Sequence, residues 1–316
     1  MIAMVIHTEH SVAVSAAPDV LFDLIGDVTR WPAIFGPTVH VEHMHRAPGT
    51  ERFQLWALAG DEVKTWVSRR TLDGVRRHVT FEQERTQAPI ASMSGSWTFH
   101  PAGGGTEVVL THDFTAVDAA HEDRLTSIVD SNSNRELAAL RRVAEIGHPV
   151  ADVVVTFEDE IPLDGSAEDA YVFIDRSDLW PQRLPHVARV RLLDPQPGVQ
   201  DMEMETTTAD GGTHTTRSIR LCFPSDRIVY KQLVPPELLL GHSGSWHLRK
   251  GEDGDVATAR HTVVINPDAV AKVLGPDRTL ADAREFVRGA LGANSRTTMA
   301  HASAYAGQLA VLGGPS

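Results

Sequence analysis

A chain of 316 residues, 42% of them hydrophobic, can bury one large core or two ordinary ones, and two is the expectation. A formal net charge of −13, with no zinc-finger spacing or basic stripe to reverse it, argues against nucleic acid as a partner. No stretch approaches the ~20 apolar residues of a membrane span, Met1-Ile2-Ala3-Met4 lacks the basic leader of an export signal, and the lone Cys222 cannot form an internal disulfide, so a cytoplasmic protein with no membrane partner is expected.

In chain order, Pro18 opens a short helix with Val20, Leu21, Leu24 and Val28 on one side, and Trp31-Pro32 follows it. His40, His43 and His45 lie close together, but only His43 and His45 share a strand face and no cysteine or paired acid completes a zinc pattern, so no metal is expected. Next comes a strand, Lys64 to Leu72, that turns Trp66, Ser68 and Arg70 to one side. That side is either the solvent face of a sheet, with Arg70 a surface charge, or the wall of a wet cavity with an aromatic ring, a hydroxyl and a cation. Gly103-Gly104-Gly105-Thr106 lacks the lysine of a phosphate-binding loop and reads as a turn. The strand after it, Thr106 to Phe114, puts His112 on an apolar face with Leu110 and Phe114, and Asp113 on the other. His112 is either a satisfied core residue or, with a pKa near neutrality, the most natural general acid or base in the chain. A long helix from about Ala119 to Ile146 carries Asn132 on the stripe of Leu125, Val129 and Val143, where an amide could bond a substrate carbonyl or a neighbouring backbone group.

The second half repeats the first. Trp31-Pro32 returns as Trp180-Pro181, Ser94-Gly95-Ser96-Trp97 as Ser243-Gly244-Ser245-Trp246, and His112 as His261, all at one spacing of 149 residues. One residue further on, Ser68 and Arg70 align with Ser218 and Arg220, while Thr216 replaces the tryptophan. A tandem duplication is expected, with domains at 1–148 and 149–316 and its seam at Gly147-His148-Pro149. Ser166 and Asp169 form a capping-box pattern, Val256 to Ile265 reads as a strand, and Leu280 to about Leu312 as a long helix carrying Asn294 beside Val287 and Leu291. Cys222, in the apolar run Arg220-Leu221-Cys222-Phe223, reads as a buried small hydrophobe, and no Gly-x-Ser-x-Gly elbow supplies a serine nucleophile. Helix, many short strands, then one long helix describes an α+β helix-grip domain, an antiparallel sheet curved around its terminal helix with a cavity where the two diverge.

Trp31-Pro32, Trp66-Val67-Ser68-Arg69-Arg70-Thr71, Ser96-Trp97-Thr98-Phe99 and Gly104-Gly105-Thr106-Glu107 resemble the aromatase/cyclases of bacterial type II polyketide synthases, in the START/Bet v 1-like superfamily. The duplicated layout is similar to that of the two-domain members acting on chains reduced at the ninth carbon, as in actinorhodin-like pathways. The resemblance implies a poly-β-ketone chain borne by an acyl carrier protein, other synthase components as partners, and no cofactor. It implies ring closure between the seventh and twelfth carbons with dehydration and aromatisation. It also implies Arg70 and His112 as catalytic residues, with Trp66 and Ser68 lining the pocket beside Arg70; Thr38, Trp97 and Asn132 are further candidates for substrate contact. Thr38 stands where several one-domain relatives carry a tyrosine, so no phenolic acid is expected there. Ser218, Arg220, Trp246, His261 and Asn294 form a candidate second site, or the second half is a scaffold. Since carrier proteins are acidic, docking calls for a local basic patch, with Arg135, Arg141 and Arg142 or Arg76 and Arg77 as candidates. A non-catalytic carrier or receptor of lipid or aromatic ligands is the alternative on the same fold.

Overall fold

The computed structural model describes residues 4–60, 62–207 and 211–312; Met1 to Ala3, read above for a leader, lie outside them. The chain divides between Val150 and Ala151 into two compact units. The first runs β1 (Ile6–Val14), α1 (Pro18–Gly26), α2 (Trp31–Ile34), β2 (Thr38–Ala47), β3 (Thr50–Ala59), β4 (Glu62–Asp73), β5 (His78–Arg85), β6 (Ile90–Ala102), β7 (Gly105–Ala116) and the long α3 (Glu122–Ala144). After the single turn α4 (Val150–Val153), the second repeats the plan. It comprises β8 (Val154–Pro162), α5 (Ala167–Asp175), α6 (Trp180–Arg183), β9 (Val187–Gln196), β10 (Val199–Thr207), β11 (Thr213–Phe223), β12 (Arg227–Val234), β13 (Leu239–Arg249), β14 (Val256–Ile265), α7 (Val270–Leu274) and α8 (Leu280–Leu312).

Each unit holds one seven-stranded antiparallel sheet, in the orders β1-β7-β6-β5-β4-β3-β2 and β8-β14-β13-β12-β11-β10-β9. The first strand thus pairs with the last, and the long helix packs on the face of the sheet that they share with the core. No helix among the described residues is long and apolar enough to cross a membrane.

Local chemistry explains where the elements begin and end. Ser166 caps α5 as its sequence indicates, accepting the Asp169 N–H at 3.0 Å and donating to the Asp169 carboxylate at 2.6 Å. The β6–β7 hairpin turns through Gly103 and Gly104, both at positive φ (55° and 88°), which is why glycines stand there. The first helix is shorter than its apolar spacing indicates. It stops at Gly26 because the Asp27 side chain accepts the Thr29 N–H at 3.1 Å and starts a separate turn, Val28–Arg30. Val28 is buried from that turn, Val20 faces solvent, and Ile25 fills the core position instead.

The repeated Ser-Gly-Ser-Trp has a steric cause. Gly95 lies between Phe81 on β5 and His112 on β7 in the ladder, and a Cβ there would stand 2.0 Å from the Thr111 carbonyl and 2.6 Å from the Phe81 ring. A Cβ on Gly244 would likewise stand 2.4 Å from the Tyr230 hydroxyl. Without a side chain at that point, the aromatic ring of one strand crosses over to the histidine of another. Gly95→Ala is expected to destabilise the protein by about 1–3 kcal/mol through overpacking, read as a lowered midpoint of thermal or denaturant unfolding.

Candidate active site

Between the sheet and α3 of the first unit lies a cavity of about 740 Å³, within the range that takes small-molecule ligands. Its lining includes fully buried residues (Arg70, Thr38, Phe53) and exposed ones (Gly60, Val117, His121, Arg124), and the exposed ones mark its mouth. Trp66, Ser68, Arg70, Thr38, Trp97, His112 and Asn132 all line it. The strand alternation that groups Trp66, Ser68 and Arg70 therefore points to the cavity, and Arg70, 1% exposed, is no surface charge.

Arg70 is heavily engaged. Its Nη1 donates to the Ile25 carbonyl at 2.8 Å and its Nη2 to the Gly26 carbonyl at 2.9 Å, which are two of the carbonyls that α1 leaves unpaired at its C-terminal end. Nε donates to Glu51 Oε1 at 2.8 Å, and Nη2 bonds the same oxygen. The guanidinium lies 4.9 Å from the centre of the Trp31 ring and 5.4 Å from that of Phe53. Burial pulls its pKa below the usual arginine value while Glu51 pushes it back up, and it stays charged. His43, the middle member of the histidine group read above for metal, places Nε2 2.9 Å from the other oxygen of Glu51. His40 packs at a tilt against Trp56 instead, with ring centres 5.2 Å apart.

His112 sits beside the Phe81 ring, 5.3 Å between centres, with Nδ1 3.5 Å from Ser133 Oγ on α3, at the long limit of a hydrogen bond. Its expected near-neutral pKa is not what the site produces. Burial first, and then neighbouring His10, lower it to about 4, so the imidazole is neutral at physiological pH. Asp113 points away to His7, as strand alternation requires. The near-neutral group is one the sequence reading missed. Glu136 lines the cavity from α3 with no bonding partner among the described residues, and burial raises its carboxyl to about 7. It sits one helical turn beyond Asn132, on the stripe of Leu125 and Val129, and that stripe was the signal that could have found it.

The second unit keeps the frame and changes the filling. Arg220, also 1% exposed, donates through Nη2 to the Ile174 carbonyl at 2.7 Å and through Nη1 to Gln200 at 2.7 Å and Ser177 at 2.6 Å. Buried His261 places Nε2 2.7 Å from Ser295 Oγ, and its Nδ1 lies 3.0 Å from both Tyr230 Oη and His242 Nε2. His242 in turn meets Gln232 at 3.0 Å. Trp246 packs in the apolar core, and Thr216 and Ser218 are buried. Asn294 is exposed and does not join them. The inward residue is its neighbour Ser295, because the face of α8 continues from Val287 to Gly292, Ser295 and Met299. Burial raises the Cys222 thiol to about 12, which suits the unreactive role expected of it.

Two sheets that each grip a long helix, the first around a cavity lined by a cation, a neutral imidazole and an unpaired carboxyl, define a ligand-cavity protein of the helix-grip class. Residues 5–145 match the family described as polyketide cyclase / dehydrase and lipid transport. The chain is 56% identical to the actinorhodin polyketide synthase bifunctional cyclase/dehydratase of Streptomyces coelicolor, over 94% of this chain and 96% of that one. It is 50% identical to a granaticin polyketide synthase bifunctional cyclase/dehydratase of Streptomyces violaceoruber, over 94% and 93%. Among solved structures it is similar to the di-domain ARO/CYC BexL (43% identity, TM-score 0.81, 95% of this chain and 98% of that one) and to the di-domain ARO/CYC StfQ of the steffimycin pathway (36%, 0.75, 96% and 99%). The chain belongs to the polyketide cyclase/dehydratase family, in its two-domain form.

The opposed shifts of the cavity groups give a pH signature. Glu136, raised from 4.5 to about 7, keeps a proton in the folded state that the unfolded chain releases, so its contribution is lost as pH rises through that window. His112, lowered from 6.5 to about 4, acts oppositely and costs stability as pH falls through its window. Relative to wild type, Glu136→Gln should gain thermal stability as pH rises from about 4.5 to about 7, read from unfolding midpoints across that range.

Proposed function

We propose that the protein closes and dehydrates the first ring of a ketoreduced poly-β-ketone chain carried by an acyl carrier protein, between the seventh and twelfth carbons, and that the first unit's cavity is where this happens. The observation that carries this reading is Glu136, a carboxyl with no bonding partner among the described residues, pushed by burial to about 7, in a cavity that also presents a neutral imidazole and a buried cation. A hydrogen flanked by two carbonyls is acidic, and a carboxylate with a pKa near 7 is matched to remove it at neutral pH. The resulting carbanion attacks a ketone carbon, and the proton that Glu136 has just taken passes to the new alkoxide. The Glu136 carboxylate then takes the next carbon-bound hydrogen and, as the acid, passes that proton to the departing hydroxyl, which leaves as water and regenerates the carboxylate. His112 and Arg70 bond the oxygens that gain charge: the imidazole through an N–H while Ser133 holds Nδ1, and Arg70 through the one N–H its other partners leave free. Trp66, Trp97 and Phe53 give the chain apolar walls that limit how it folds, and Asn132 offers an amide to a carbonyl.

The acyl carrier protein would deliver the chain at the mouth. Of the arginines considered for docking, Arg76, Arg77 and Arg141 pair with Asp73, Asp19 and Glu145, which removes most of their net attraction, while Arg135 and Arg142 are exposed on α3. Arg124 is exposed and lines the cavity itself, so it is better placed than any of them.

In a reaction reconstituted with a minimal polyketide synthase and a ketoreductase, the protein should divert shunt products into a dehydrated compound with an aromatic first ring, detected by mass spectrometry. Glu136→Gln should lower that product by about 10²–10⁴-fold while the protein stays folded by circular dichroism. Undiminished product from Glu136→Gln would remove the carboxyl from the mechanism. Product binding with no change in product identity, even for wild type, would favour a carrier.

A further inference from the structure

The two units provide an internal comparison for the buried arginine. In the strand ladders, Glu51 stands opposite Arg70 and Gln200 opposite Arg220; His43 and Leu192 occupy the matching place one strand further out, opposite Phe53 and Met202. Both arginines reach the last carbonyls of the preceding helix, so a neutral amide is sufficient for that clamp. The carboxylate changes which edge of the guanidinium is engaged. Arg70 turns Nε and Nη2 to Glu51, and with Gly26 and Ile25 also satisfied, four of its five N–H groups are used and one on Nη1 remains. Arg220 instead turns Nη1 to Gln200 and Ser177. His43 holds Oε2 of Glu51, which leaves Oε1 to face Arg70. His43 reaches toward solvent, its side chain 24% exposed, while Glu51 is buried, so the chain of contacts runs from the surface to the cavity wall.

We propose that Glu51 and His43 are positioning residues for the reaction: together they fix the rotation of Arg70 and thereby select the N–H it presents to the substrate oxygen. The proposal rests on the reading that Arg70 acts on substrate in the first unit's cavity. Nothing equivalent operates in the second unit, where Gln200 and Leu192 leave the arginine in a different rotation.

The test uses the full chain in the reconstituted reaction, with unfolding midpoints measured in parallel. Binding of an aromatic polyketide product is followed by tryptophan fluorescence, since Trp31, Trp66 and Trp97 line the cavity. Glu51→Gln, which installs the second unit's residue, should lower aromatised product by about tenfold or more with product affinity within about twofold of wild type. His43→Leu should also lower it, and His43→Gln, which keeps an N–H for Glu51, should restore most of it. The Glu51→Gln/His43→Leu double variant should be no worse than Glu51→Gln alone, because His43 acts through Glu51. Wild-type product from Glu51→Gln, equal products from His43→Leu and His43→Gln, or losses that multiply in the double variant would each overturn the proposal. If Glu51→Gln does not fold, the two His43 variants decide. Arg70→Lys separates the levels: wild-type product from it would remove the underlying reading of Arg70, whereas an impaired Arg70→Lys beside fully active Glu51 and His43 variants would remove this inference alone.

Discussion

A buried guanidinium tied to the end of a helix sets the geometry of each half. A helix leaves its last carbonyls without partners, and a cation is favoured there by both hydrogen bonding and the helix dipole. Arg70 meets that need for α1, and Arg220 does the same for α5. Removing a partner from a buried charge of this kind costs about 3–5 kcal/mol, enough to consume much of a domain's stability. Because the arginine also stacks on the tryptophan of the Trp-Pro turn, it fixes helix, turn and sheet together. In the first unit the same group forms part of the cavity wall, so its structural role and its proposed chemical role share one set of contacts.

On this common frame the two units diverge in what fills the interior. The first places Trp66, Phe81 and Met93 where the second has Thr216, Tyr230 and His242. Phe81 and Met93 cannot bond His112, whose one side-chain hydrogen bond among the described residues is the long one to Ser133, and the imidazole stays on the cavity surface. Tyr230 and His242 both reach His261, which also holds Ser295, so these buried polar groups of the second unit are committed to one another. A satisfied polar network of that kind rigidifies a core, whereas an unsatisfied carboxyl and amide are available to a ligand. The contrast is why the chemistry is assigned to the first unit.

The duplication was legible because identical residues recurred at one spacing, and β14 and α8 have the bounds their patterns indicate. Alternation also placed Trp66, Ser68 and Arg70 on the correct face, though it could not distinguish a surface charge from one buried by Glu51 and two carbonyls distant in sequence. Glu136 escaped notice because a glutamate in a helix ordinarily faces water; only the three-dimensional enclosure of its stripe raises its pKa. Asn294 was misplaced by one residue because the inward face of α8 is built of Gly292, Ser295, Thr298, Ala302, Ser303 and Ala306, which give hydrophobic periodicity little to register. His112 was found, but its proton affinity depends on burial and on His10, which lies on another strand.

The central claim is that the polyketide chain is handled inside the first unit, against β4, β7 and α3. The most direct measurement is photo-crosslinking of a carrier-protein-borne chain analogue with a diazirine along its length, followed by peptide mapping of the full-length protein. The account predicts labels on cavity residues such as Trp66, Phe81 and Asn132; labels confined to the second unit or to the outer surface would contradict it.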